Sequence, residues 1–165
     1  RPHVFSWLVW SILGVIAFFG QLSDDAGAGA WVTLVTSLAG MFIIIIALSL
    51  KQAEKEITRV DKVSLVASLL AIIPWLLTSD PLMSIILVTG IDFLGFVPTI
   101  RKSIHKPNEE TLIHYFFAGL KFALAIVALD NFTVVTWLYP ASLVLANWLF
   151  ILLLVVQRRR TNKQT

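Results

Sequence analysis

The chain contains no cysteine. That excludes disulfides, thiolate metal sites and thiol redox chemistry, and it leaves the compartment open. Histidine is scarce: three residues without close spacing give no ligand set for a metal. Charge is scarce as well, at 14% of 165 residues. No Ser-His-Asp spacing, Walker loop, HExxH or glycine-rich dinucleotide turn occurs, and no cofactor motif with them. No pair of catalytic groups stands out at either end of an apolar stretch, so the sequence gives no reason to read an enzyme.

What the chain has is hydrophobicity: 58% of residues, with a mean hydropathy of +0.85. Six apolar stretches run over 4–20, 31–50, 63–77, 82–100, 111–129 and 132–156, separated by short polar loops. About 20 apolar residues cross a hydrocarbon core of roughly 30 Å, so six helices use most of the chain. A spanning segment must satisfy its own backbone groups, which leaves helices or a closed barrel. Runs such as 42–48 and 149–156 lack the period-2 alternation of barrel strands. The expected fold is an all-α polytopic membrane helix bundle with six transmembrane helices in this chain.

Twelve of the thirteen Lys and Arg fall on alternate loops. The other loops carry Asp24, Asp25, Asp80 and Asp130 and no cation. The positive-inside rule places both ends of the chain and the basic loops in the cytoplasm, in a bacterial cytoplasmic (inner) membrane. The formal charge of +3 therefore reads as topology beside anionic headgroups, not as a nucleic-acid footprint. The expected partners are the lipid bilayer and a small polar solute, with a homodimer or a larger membrane complex left open.

A weak internal repeat is visible. At an offset of 105, Arg1-Pro2 meets Lys106-Pro107, Trp10 meets Tyr115 and Gly14 meets Gly119. At an offset of 106, Trp31 meets Trp137. The repeat divides the chain into four parts: 1–50, the last two helices of a first triple-helix repeat; 51–80, a linker loop and linker helix; 81–157, a second triple-helix repeat; and 158–165, a basic cytoplasmic tail. It also predicts a helix upstream of Arg1, giving seven helices as 3+1+3 in the full protein, a parallel repeat of the kind transporters use.

The segment Val97-Pro98-Thr99-Ile100-Arg101-Lys102-Ser103, a helix end at proline followed by a basic loop, resembles the PQ-loop and SWEET/SemiSWEET superfamily. The resemblance covers the 3+1+3 plan, and at residue level about ten positions. Thr99 follows the proline where the family pattern has Gln, and the first-half match of Asn147 is Met41. The resemblance implies a small-solute membrane transporter or facilitator working by alternating access around a midplane polar site. It also implies that Asn147 belongs to the binding pocket.

Two ionisable residues sit deep in expected spans. Asp92 lies roughly 13 Å along the helix from Arg101, and Lys121 roughly 16 Å from Glu110. Either they form a proton or substrate relay, or they are a static bridge, with Lys121 alternatively snorkelling outward. Asn147 and Trp148 could bond and stack on a polar ligand, or serve an interhelical hydrogen bond and a lipid-facing indole. Trp10 and Tyr115, matched by the repeat, line a cavity or anchor the interface. Pro98 is a candidate hinge or a helix end. Gly90 and Gly95 flank Asp92 and would admit a neighbouring backbone. The alternative to a transporter is a non-transporting accessory or scaffold subunit of a larger membrane complex, in which Asp92 and Lys121 would be structural.

Overall fold

Long apolar runs form the helices of this protein, and on the helix over Ala28–Ser49 small residues gather on one face and large apolar residues on the other. The computed structural model describes residues 4–51, 59–70, 73–105 and 107–161. They form α1 (Val4–Ser23), α2 (Ala28–Ser49), α3 (Arg59–Leu70), α4 (Ile73–Thr78), α5 (Pro81–His105), a 3₁₀ turn (Pro107–Glu109), α6 (Leu112–Val127) and α7 (Val134–Thr161). The fold is all-α, with no strand among the described residues. Two helices, Ala28–Ser49 and Val134–Thr161, are long and apolar enough to cross a membrane. Trp7–Ser23, Pro81–Phe96 and Leu112–Val127 are shorter apolar helical stretches. The expected span 63–77 corresponds to α3 and α4, with residues 71–72 outside the described residues. The helix of the last span continues to Thr161, so Arg158, Arg159 and Arg160 stand on its final turn, inside the segment read from sequence as a tail.

α1 and α2 pack as one hairpin and α6 and α7 as another, while α5 lies against both α1 and α7. On α2 the buried positions are Gly29, Ala30, Thr33, Ser37, Gly40, Ile44 and Ala47. Their spacing of three and four residues makes one stripe, and all but one are small. The opposite face carries Val35, Leu38, Phe42, Ile45 and Ile46, each more than half exposed. In a water-soluble helix this distribution would be reversed. Small residues let backbones approach: a Cβ at Gly14 would strike Ser37, and one at Gly40 would strike Ser11. Two serine hydroxyls on this seam fold back on their own helices, Ser11 to the Trp7 carbonyl (2.8 Å) and Ser37 to the Thr33 carbonyl (2.9 Å). The main core lies between α1, α5 and α7, where Leu13, Ile16, Ala17, Ile85, Val88, Tyr139 and Leu143 meet.

The end of the bundle that carries the aspartates is stapled shut. Gly29 N–H donates to the Ala128 carbonyl (2.9 Å) and Asp130 N–H to the Ala26 carbonyl (3.1 Å). Asn131 Nδ2 donates to the Asp24 carbonyl (2.9 Å), and the Thr133 hydroxyl donates to the Asp24 carboxylate. Gly27 has φ +65°, and a Cβ there would land on the Asp130 carboxylate. One further link has a specific cause. Pro140, inside α7, has no N–H for the Thr136 carbonyl four residues back. That carbonyl instead accepts from Gln21 Nε2 of α1 at 2.7 Å.

The opposite, basic end is tied by Arg158. Its Nε donates to the Pro107 carbonyl (3.1 Å) and its Nη2 to the Glu110 carbonyl (2.5 Å). The guanidinium thereby holds the turn entering α6 against the end of α7. Arg158→Met should cost about 2 kcal/mol, since hydrogen bonds from a charged group contribute about 1.5–3 kcal/mol. The exposed Arg159→Met should stay within about 0.5 kcal/mol. Thermal unfolding of both variants in detergent checks the contrast.

Candidate functional site

α5 carries Asp92 into the middle of the bundle, where it is 4% exposed. Its partner is Tyr139 of α7, itself 3% exposed, whose hydroxyl donates to the carboxylate. One turn earlier on α5 stands Thr89, also buried, whose Oγ1 finds no partner among the described residues. Ser84 is buried further along toward the aspartate-bearing end. Thr89 and Asp92, three residues apart, share one face of α5, which packs against α1 and α7.

On the basic side of Asp92 the interior becomes aromatic. The Trp10 indole nitrogen lies against Gly95, close to where a Cβ would stand. Trp10 meets Phe96 (centroids 6.4 Å apart), Phe96 meets Phe150 (6.1 Å), and Phe150 meets Tyr115 (4.5 Å). Trp7 extends the row edge-on at 6.0 Å. The layer crosses from α1 through α5 and α7 to α6. Tyr115 is fixed within it by donating its hydroxyl to Glu110 Oε2 (2.9 Å). Such edge and tilted contacts each contribute about 0.5–1.5 kcal/mol beyond burial.

The structure therefore joins some of the residues singled out from sequence and separates others. Trp10 and Tyr115 belong to one layer, linked by two phenylalanines. Asp92 and Lys121 do not meet: among the described residues Asp92 pairs with Tyr139, while Lys121 Nζ lies 4.7 Å from the Phe122 ring centroid. α5 and α6 are consecutive in sequence, but each packs along α7 rather than on the other. Asn147 is buried, and its Nδ2 donates to the Leu143 carbonyl of its own helix (2.7 Å). Trp148, one residue on and about 100° around the helix, is 40% exposed and lays its indole against Gly119 of α6. It lines a groove of about 330 Å³ with Ile126, Val144, Leu145 and Leu149. Asn147 and Trp148 thus point to different surroundings. Of the two glycines flanking Asp92, Gly95 receives Trp10, whereas nothing lies within 4 Å of a Cβ at Gly90. The helical backbone of α5 runs through Pro98, whose side chain lies outside the described residues.

Sequence reasoning passed over Tyr139, Thr89 and Gln21. For Tyr139 a signal existed: a buried acid needs a donor, and the chain has two tyrosines. Gln21 could be inferred from Pro140, whose missing N–H frees a buried carbonyl for some other donor. No family model, curated protein or solved structure matches this chain.

Proposed function

We propose that this protein crosses a bacterial inner membrane as six helices, with its basic end in the cytoplasm. In this reading it moves a small polar solute by alternating access around Asp92 and Tyr139. The observation that carries the reading is the buried carboxylate itself. An ionisable group at mid-span is costly and is retained where it serves a pathway, a relay or a counter-ion. Here it lies between a stapled end and an aromatic layer, as expected of a site closed on both sides. The large apolar side chains facing outward along α2 and the alternation of basic loops support the spanning arrangement.

A two-fold plan of the SWEET/PQ-loop kind fits the same features. Gly14 and Gly119, matched in the repeat, each lie in the seam of their own hairpin, against Ser37 and Trp148. Trp10 and Tyr115, also matched, stand toward the two ends of the aromatic row. The connections after α1 and α6 are the loops that staple to each other.

A second reading, an accessory subunit of a larger complex, is favoured by one observation. The groove beside Trp148 is lined by apolar side chains on the outer face and does not reach Asp92. Uptake into vesicles containing the purified protein separates the two. Transport predicts solute entry that Asp92→Asn abolishes, at least tenfold, with the protein still folded. Vesicles that admit no solute from a broad polar panel would leave the accessory role.

A further inference from the structure

We infer that Asp92 is a proton-binding site whose access path opens at the aspartate-bearing end of the bundle and is closed toward the basic end. The inference rests on the transport reading above and adds the coupling ion and its side of entry. First, the site is enclosed. Asp92 is 4% exposed, and its partner Tyr139 belongs to a packed core with Val88, Leu13 and Leu143, surroundings that suit a proton better than a solvated metal ion.

Second, buried polar atoms lie in series on one side of it. From the stapled loops, the Asp24–Thr133 pair leads to Thr136, whose hydroxyl donates to the Asn131 carbonyl (2.8 Å) and whose own carbonyl accepts from Gln21. Tyr139 follows one turn along α7 and donates to Asp92. Among the described residues Gln21 Oε1, in a fully buried side chain, and Thr89 Oγ1 have no partner on this side, nor has Thr33 Oγ1 on α2. A buried polar atom left unpaired is costly and marks a place where a water completes the network. Gly20, beside Gln21, faces Pro81 and Ile85 of α5, which stand about two turns and about one turn before Thr89, so α1 brings Gln21 to the same side of Asp92 as Thr89. Waters at Gln21 Oε1 and Thr89 Oγ1 would join the stapled loops to Asp92.

Third, the other side offers no such series: Ser103 Oγ is buried there without a partner among the described residues, but it stands alone, about three turns from Asp92 along α5 and past Phe96. Trp10, Phe96, Phe150 and the Tyr115 ring form the layer between Asp92 and the basic end. Nor does another charge compete for the site. α1 and α4 carry no titratable side chain, α3 brings Arg59 and Lys62, both exposed, and Asp61, whose side chain lies outside the described residues, and the 3₁₀ turn brings the exposed Glu109. From α7, Tyr139 is the group that meets Asp92, and Lys121 of α6 lies over Phe122.

The test uses vesicles containing the full chain in one orientation, with inner and outer pH set independently. A lipid-soluble carbodiimide reacts with a carboxyl group only after protonating on it, so adduct at Asp92, read by peptide mass, reports the protonated fraction. Labelling should fall at least fivefold as pH rises from about 5 to about 9 at the aspartate-bearing end, and should ignore the pH at the basic end. Thr89→Val and Gln21→Leu should slow this response to an imposed pH step while leaving labelling after long equilibration unchanged, which shows them to be folded. Labelling that follows the basic-end pH, follows both sides equally or ignores pH would overturn the inference. Solute uptake measured on the same vesicles keeps the two ideas apart. Uptake with no sided pH response sinks the proton site alone, and a sided response without uptake sinks the transport reading while the proton site stands.

Discussion

Replacing Gly29 with valine is expected to lower the melting temperature in detergent by roughly 10 °C. Gly29 sits in the first turn of α2, where even a Cβ would land on the Ala125 carbonyl oxygen and the Leu129 side chain. Neither neighbour yields cheaply, because one is backbone and the other is packed with Phe18, Ala26 and Ala30. The hairpins would have to separate at their closest point, which strips the Gly29 to Ala128 hydrogen bond and its neighbour between Asp130 and Ala26. Overpacking typically costs about 1–3 kcal/mol, and each backbone bond lost adds about 1 kcal/mol. A loss of about 3 kcal/mol or more follows, at about 2–4 °C per kcal/mol for a chain of this size. Gly90→Ala is the control. Nothing lies within 4 Å of that Cβ, so the helix should gain up to about 1 kcal/mol from propensity alone. The two glycine substitutions should thus move the melting temperature in opposite directions.

That contrast also marks where sequence reading ends for this protein. Helices are visible in the hydropathy, because long apolar runs have few alternatives once barrel alternation is absent. The sorting of cations onto alternate loops is likewise a one-dimensional pattern. Contacts between helices are not. Asp92 was matched with Lys121 because their helices are consecutive, yet α7 packs against both and supplies Tyr139 instead. The hydropathy signal is blind to this choice: neighbours in a membrane bundle are set by which small-residue faces fit together. The repeat led to Trp10 and Tyr115, and these two do belong to one layer. The same repeat offered nothing on Gln21 or Thr89, whose significance lies in what they fail to bond. Asn147 illustrates the opposite case. Its residue type suggested a ligand contact, and its amide nitrogen turns back to Leu143 in its own helix.

The second large effect concerns the Asp92–Tyr139 pair, and it separates function from architecture. Tyr139→Phe keeps the ring in its packing position and removes the hydroxyl that serves the carboxylate. A buried acceptor deprived of its donor costs about 1–3 kcal/mol, and more where it is charged. Asp92→Leu alone strands the Tyr139 hydroxyl in the same core, with a comparable penalty. The double variant Asp92→Leu, Tyr139→Phe leaves neither group unpaired, and an apolar replacement of a buried polar pair is often neutral or stabilising. Stability should therefore fall in each single variant and return in the double, with an interaction energy of about 2 kcal/mol in the thermodynamic cycle. Uptake should follow a different rule. If Asp92 is the working group, the restored double variant stays inactive, down about 100-fold, a loss of roughly 2.7 kcal/mol in transition-state terms. A double variant that recovers both stability and uptake would mean that the pair only holds α5 against α7. The measurement requires unfolding curves and initial uptake rates on the same four preparations, so a misfolded single variant cannot masquerade as an inactive one.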